Sequence, residues 1–215
     1  MHSAPPSPVK AFFEHLQPFF AAEGYHFHPI LNQFRQTFDG GFRNVIFGFS
    51  AYEDTTLVEC TFGVRLDLIE DTIMPFSTGI NGYLDESNTT QTNLAKYHQV
   101  PHYRLRFAHP AEMEAAGQEL RQFFVQEGFA FLEKHSALKA LEARYNQAPH
   151  QPSLLAFSTR MRCFRGMALA TMAQSPYWES LYQVYQEELR RWGTPSIITD
   201  RYEALCQHLL RLGVN

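Results

Sequence analysis

The residues from Thr56 to Ile69 alternate in polarity, and this alternation constrains the fold more than any other feature of the chain. One side of the alternation is mostly apolar: Thr56, Val58, Cys60, Phe62, Val64, Leu66 and Leu68. The other side is mostly polar: Leu57, Glu59, Thr61, Gly63, Arg65, Asp67 and Ile69. Successive side chains of a strand point to opposite faces, so the pattern predicts a strand with one buried and one solvated face. The preceding segment FRNVIFGFSAY also alternates, and a hairpin from Phe42 to Ile69 is expected.

Other patterns predict a helix before this hairpin and further strands beside it. Ser7 and Pro8 suit the start of a helix, and apolar residues follow at helical spacing. The segments NQFRQTF and YRLRF alternate in polarity and predict strands on either side of the hairpin. The nine polar residues 85–93 have no period and predict an exposed loop.

The second half of the chain predicts helices only. Pro110 fits a first helical position, and three later helices are expected at about 154–173, 177–192 and 199–211. The predicted fold is therefore α+β, with an antiparallel sheet of about four strands packed against an N-terminal helix and an all-helical C-terminal half. We expect one domain, 1–215, in which 1–109 forms the helix and sheet and 110–215 forms a helical layer. Residues 147–153 (QAPHQPS) best fit a boundary.

Two groups of side chains on the later helices allow both a structural and a functional interpretation. The run RMRCFR contains Arg160, Arg162 and Arg165, and such a basic run predicts a solvated helix face. A mostly aromatic stripe at helical spacing consists of Trp178, Leu181, Tyr182, Tyr185, Leu189 and Trp192. The stripe favours core packing, and docking of a partner is the alternative.

Composition excludes several classes of protein. The formal net charge is −4, and residues 1–109 hold 7 Lys or Arg against 11 Asp or Glu, so no basic footprint for nucleic acid is present. The three cysteines are far apart and predict free thiols rather than a disulfide framework. No basic region followed by an apolar run opens the chain, and we expect a soluble, cytoplasmic protein that does not bind membranes.

Four charged residues are the candidate ligand-binding set. Glu59, Arg65 and Asp67 share the predicted solvated face of the hairpin, and Arg35 lies on the strand before it. Converging charges can form a polar pocket, although such residues more often form cross-strand pairs on a solvated face. The neighbouring Glu70 and Asp71 are adjacent in sequence, so they are not expected to face one bound group. No catalytic motif and no cofactor-binding motif occurs in the sequence.

Two histidine pairs are weak candidates for a metal site. His26 and His28 are two residues apart, as on one face of a strand, and His98 and His102 are four apart, as on one face of a helix. No third ligand accompanies either pair at a fixed spacing, and ordinary polar roles are the alternative. We therefore predict no metal.

The N-terminal two thirds of the chain resembles a bacterial family, the DUF4304-like proteins of unknown function. The resemblance rests on VKAFFEHLQPFFAAEGY followed by NQFRQTF, FRNVIFGFSAY and LVECTFGVRLDL, and on FLEKHSALKALE at 131–142. It implies an α+β fold. It supplies no catalytic residues to transfer to this chain.

Two hypotheses for function follow. The absence of a catalytic constellation and the surplus of aromatic residues favour a non-catalytic binding or protein-interaction module, with a protein partner or a second copy of the chain as its target. The alternative is a small-ligand-binding protein or an enzyme that uses the polar face of the sheet.

Overall fold

The N-terminal helix begins where the sequence predicts. A computed structural model describes residues 7–77 and 86–213 of the chain. In α1 (Pro8–Ala22), Ser7 is the N-cap, and its hydroxyl accepts a hydrogen bond from the backbone N–H of Lys10 at 3.3 Å. Pro8 occupies the first turn, where its missing N–H costs nothing. The buried stripe of the helix consists of Phe12, Phe13, Leu16 and Phe20.

Six strands form one sheet within the described residues, which is two more than the sequence predicts. The strands are β1 (His26–His28), β2 (Gln33–Phe38), β3 (Gly41–Tyr52), β4 (Thr55–Leu66), β5 (Thr90–Asn93) and β6 (Leu105–Phe107). The order is β1-β2-β3-β4-β5, and β6 also pairs with β4. The β1–β2, β2–β3 and β4–β6 pairs are antiparallel. The predicted α+β class is confirmed.

The other elements of the described residues are helical, and those after residue 110 confirm the predicted helical C-terminal half. A short 3-10 helix, Pro29–Leu31, lies between β1 and β2, and the α-helices follow. They are α2 (Asp67–Ile73), α3 (Leu94–Tyr97), α4 (Pro110–Phe123), α5 (Phe129–His135), α6 (Leu138–Tyr145), α7 (Thr159–Met172), α8 (Trp178–Arg191) and α9 (Ser196–Gly213). A π-helical turn, Phe124–Gly128, lies between α4 and α5.

The chain forms two compact units. The first comprises Met1–Phe62 and Asn93–Leu132, and the second comprises Gly63–Thr92 and Glu133–Asn215. Residues 147–153 lie inside the second unit. The prediction of one domain with a boundary at 147–153 stays a prediction.

Phenylalanine rings form the core of the first unit. Phe12 of α1 contacts Phe47 and Phe49 of β3 edge to face, and it stacks on Phe107 of β6 at 5.5 Å between ring centroids. Phe20 stacks on Phe34 of β2 at 4.4 Å. These contacts place α1 on one face of the sheet.

Helices α7, α8 and α9 pack together in the second unit. Leu181, Tyr185 and Leu189 of the aromatic stripe are buried, which confirms core packing for this part of the stripe. The Tyr185 hydroxyl donates a 2.6 Å hydrogen bond to Asn146 Oδ1. Trp192, at the end of the stripe, is exposed.

The predicted alternation of β4 holds only in its first part. Burial alternates from Thr56 to Phe62, and then every residue from Phe62 to Leu66 is buried. The strand ends at Leu66, so the prediction of a strand to Ile69 is wrong, and Asp67 is the first residue of α2. The second face of the strand is covered by residues from much later in the chain.

The prediction of an exposed loop at 85–93 is wrong for most of its residues. Asp85 lies outside the described residues, while Thr89, Thr90 and Thr92 are buried. The Thr89 hydroxyl accepts the Leu66 N–H at 2.9 Å, and the Thr90 hydroxyl donates to the carbonyl of Leu155 at 3.0 Å. Thr89 and Thr90 can be buried here because their hydroxyls find hydrogen-bond partners in the protein, whereas the buried Thr92 hydroxyl has none among the described residues.

Replacing Gly63 by alanine tests this covering of β4. A Cβ at Gly63 would lie 2.2 Å from the carbonyl oxygen of Thr90, so the backbone must shift. We expect Gly63→Ala to lower the free energy of unfolding by about 2 kcal/mol, as for overpacked cores. The measurement is urea denaturation followed by circular dichroism.

Gly48→Ala is the matched control, because it makes the same change within a strand. The nearest atom to a Cβ at Gly48 is Glu59 Cβ at 4.0 Å, and this substitution should leave stability within about 0.5 kcal/mol. Equal stability of the two variants would contradict the close approach of β5 to Gly63.

Candidate functional site

An open groove of about 630 Å³ lies between β6 and α4 in the first unit. One wall runs from His102 to Arg106, of which Leu105 and Arg106 belong to β6. The other wall is one face of α4, formed by Glu112, Ala115, Ala116 and Glu119 at helical spacing. The volume lies within the range of ligand pockets in proteins. Ala115 and Ala116 leave room along the helix because their side chains end at Cβ.

The strand in this groove has an unpaired edge. β6 pairs with β4 through Phe107 opposite Thr56, Arg106 opposite Leu57 and Leu105 opposite Val58. No strand within residues 7–77 and 86–213 pairs with its other edge. In an antiparallel pair, alternate residues direct their N–H and C=O groups toward the partner. Part of the β6 backbone therefore points away from β4.

The side chains of β6 separate into a buried and an exposed set. Leu105 and Phe107 are buried against the core, whereas Arg104 and Arg106 are exposed. Arg104 Nε donates to Glu59 Oε1 of β4 at 2.5 Å, and both side chains are 49% exposed. No ion pair to Arg106 occurs in the part of the chain that the structure describes. The exposed side of this segment therefore carries one paired guanidinium group, on Arg104 just before β6, and one without an ion pair among the described residues, on Arg106.

Both carboxylates of α4 in the groove accept hydrogen bonds from the protein. Glu119 accepts from the Tyr103 hydroxyl. Burial and this hydrogen bond raise the pKa of Tyr103 to about 12, so the hydroxyl stays protonated at neutral pH. Glu112 accepts the N–H of Ala108 at 2.7 Å. The two carboxylates fix the chain at either end of β6.

The four predicted ligand-binding residues fall in different surroundings. Glu59 lies beside the groove through its pair with Arg104. Arg35 lies over the ring of Phe42, with its guanidinium carbon 3.9 Å from the ring centroid. These two residues belong to the first unit, whereas Arg65 and Asp67 belong to the second.

Arg65 is a buried structural cation rather than a residue of a solvated face. Only 6% of the residue is exposed, so its predicted position on a wet face is wrong. Its guanidinium donates to Asp67 Oδ1 at 2.6 Å, to Asp71 Oδ1 at 2.8 Å and to the carbonyl of Ser87 at 3.2 Å. The contact with Asp67 forms because β4 turns into α2 at this point. The role of these residues in ligand binding stays a prediction.

Two of the three arginines of RMRCFR, Arg162 and Arg165, are largely buried, whereas Arg160 is exposed as expected. Arg165 forms a two-point ion pair with Glu70, with Nε to Oε1 at 2.8 Å and Nη2 to Oε2 at 2.9 Å. Arg162 donates to the carbonyls of Tyr145 at 3.2 Å and Ala148 at 2.9 Å. The prediction of a solvated face is wrong for both. The partner of Arg165 lies 95 residues away in the sequence, and the carbonyls that bind Arg162 lie in the segment before α7. Glu70 and Asp71 face different arginines, as their adjacency indicates.

One histidine pair lies on a strand, and the other does not lie on a helix as its spacing predicts. His26 and His28 lie on β1, as the spacing predicts. His98 caps the end of α3, and Gln99 has a φ of 56°, so His98 and His102 do not share a helical face. His98 stacks on Tyr103 at 5.2 Å between ring centroids. The described residues contain no group of three or more potential ligands arranged to hold a metal ion.

Sequence reasoning found the strand of the groove but missed the groove. The alternation of Tyr103, Leu105 and Phe107 predicts β6 correctly in type and place. On α4, the sequence feature that relates to the groove is the pair of small residues Ala115 and Ala116. This pair indicates open space only once the helix is known to lie beside β6. Two adjacent alanines in a helix are too common to indicate a site.

No protein-family model matches the chain, and no match exists among the curated proteins or the solved structures that were compared with it. The resemblance to DUF4304-like proteins therefore stays a prediction. Among residues 7–77 and 86–213, no helix has the length and apolar character needed to cross a membrane.

Breaking the buried ion pair tests the network of the second unit. Glu70 is 4% exposed, and Glu70→Gln leaves the guanidinium of Arg165 without its counter-charge. We expect unfolding free energy to fall by about 3 kcal/mol, as for other buried pairs that lose one partner. Glu59→Gln removes one partner of an exposed pair and should cost less than about 1 kcal/mol. Equal losses in urea denaturation would contradict the burial of Glu70.

Thiol labelling tests whether any cysteine can act as a nucleophile. Cys60, Cys163 and Cys206 are buried, and burial raises the pKa of each thiol above its ordinary value. The thiolate reacts with Ellman's reagent, so we expect no rapid labelling at pH 8 and three labelled thiols in urea. Fast labelling of one thiol in the folded protein would show an accessible cysteine.

Proposed function

We propose that this protein binds an extended segment of a protein partner by adding it as a strand to the open edge of β6. The single observation that carries the proposal is this edge, which lies along a groove and has no strand partner among the described residues. Backbone hydrogen bonds to the edge supply affinity in such complexes, and contacts of alternate side chains supply specificity. The proposal makes the binding-module hypothesis concrete.

The dimensions of the groove support an added strand. The strand edge itself, Leu105–Phe107, is three residues long and spans about 10 Å at the rise of a strand. An incoming segment would pair with these residues along the free edge of β6, beside α4. Alternate side chains of that segment would face Ala115 and Ala116, where the helix leaves room.

The rival function uses the polar face of the sheet for a small ligand or a reaction. Glu59 is engaged by Arg104, and Arg65 is engaged by two aspartates, Asp67 and Asp71. Each of these charges is already neutralised within the protein. The groove beside β6 therefore has the stronger support.

A bulky substitution in the groove tests the proposal. Random twelve-residue peptides displayed on phage are selected against the full chain, and the selected peptides are measured by fluorescence polarisation. Ala115→Trp fills the groove and should weaken their binding at least tenfold, which corresponds to about 1.4 kcal/mol. Ala130→Trp, on an exposed alanine of α5 in the same unit, should leave affinity unchanged.

Backbone methylation separates strand addition from other modes of binding. In an added strand every second N–H points to β6, so methylating those nitrogens should abolish binding, and methylating the others should not. Selection of no peptide, or peptides that bind Ala115→Trp as well as the wild type, would refute the proposal. Equal effects of both methylation patterns would refute the added strand.

A further inference from the structure

The exposed side of β6 carries a positive charge that no residue within 7–77 and 86–213 neutralises. Arg106 lies on β6, Arg104 directly precedes the strand, and both side chains are exposed. Arg104 has a counter-charge in Glu59 of β4. The residue of β4 opposite Arg106 is Leu57, which cannot provide one.

From this difference we infer that the segment bound at β6 is acidic on its outer face, with Asp or Glu opposite Arg106. The inference rests on the proposed function. An added strand would place one residue directly opposite Arg106 on the free side of β6, with its Cβ about 5 Å away. Opposite charges at such positions stabilise a sheet, and like charges destabilise it. The pair of Arg104 with Glu59 already shows this arrangement on the β4 side.

The α4 side of the groove disfavours acidic residues in the bound segment. Residues of the added strand that alternate with the acidic ones would face α4, where Glu112 and Glu119 flank Ala115 and Ala116. Acidic side chains there would be repelled by the two carboxylates, whereas uncharged side chains would fit over the alanines. The predicted partner is therefore a strand with acidic residues on one face and uncharged residues on the other.

Designed peptides with defined charge test this pattern. In each nine-residue peptide, Val or Thr alternates with one test residue, which is Glu, Gln or Lys. Each peptide is made in two versions, with the test residue at the odd or at the even positions, so that the pairing register need not be known. Fluorescence polarisation measures their affinity for the full chain at low and high salt. We expect the Glu peptides to bind about fivefold more tightly than the Lys peptides, with a smaller ratio at high salt.

Charge reversal at Arg106 assigns the preference to one residue. In the Arg106→Glu variant, the Lys peptides should bind more tightly than the Glu peptides. Arg160→Glu is the control, because it changes the net charge by the same amount at an exposed site in the second unit. This control should bind the peptides in the same order of affinity as the wild type. Equal binding of Glu, Gln and Lys peptides, or an unchanged preference in Arg106→Glu, would overturn this inference and leave strand addition intact. Binding by none of the peptides selected or designed would instead overturn the proposed function.

Discussion

The packing of phenylalanine rings against α1 fixes the elements that form the groove. Phe12 stacks on Phe107 and so holds β6 against the core, while Phe20 contacts Phe124 at the end of α4 at 5.3 Å. Each fully buried phenylalanine contributes roughly 1.5–3 kcal/mol, so this cluster outweighs any exposed ion pair in the first unit. The groove can remain polar and open because its walls are stabilised from behind by the aromatic core.

An open strand edge is a hazard for a soluble protein, and β6 carries the features that reduce it. The strand is three residues long, and Arg104 and Arg106 place charge beside its edge. Short edges and charged side chains prevent pairing between identical copies, because like charges would lie across from one another. The same charges favour an acidic segment. The same charges thus oppose pairing between copies of the chain and favour the proposed partner.

The sequence predicted the elements that depend on neighbouring residues. It did not predict the contacts between residues that are far apart along the chain. The cap at Ser7, the strand formed by β3, the alternation in the first half of β4 and the presence of the later helices follow from neighbouring residues. Burial of Arg65 depends on Ser87, and burial of Arg165 depends on Glu70, which lies 95 residues away. Spacing along the chain carries no information on such pairs. The groove was missed for the same reason, since it exists only when α4 lies beside β6.

Amide hydrogen exchange of β6, followed by NMR, tests the central claim most directly. In the free protein an open edge predicts that amides of Leu105, Arg106 and Phe107 directed toward β4 exchange slowly and that those directed away exchange fast. Binding of a peptide should then protect the fast-exchanging amides as well. Slow exchange of all three amides in the free protein, or a bound peptide that leaves the fast amides unchanged, would contradict the account.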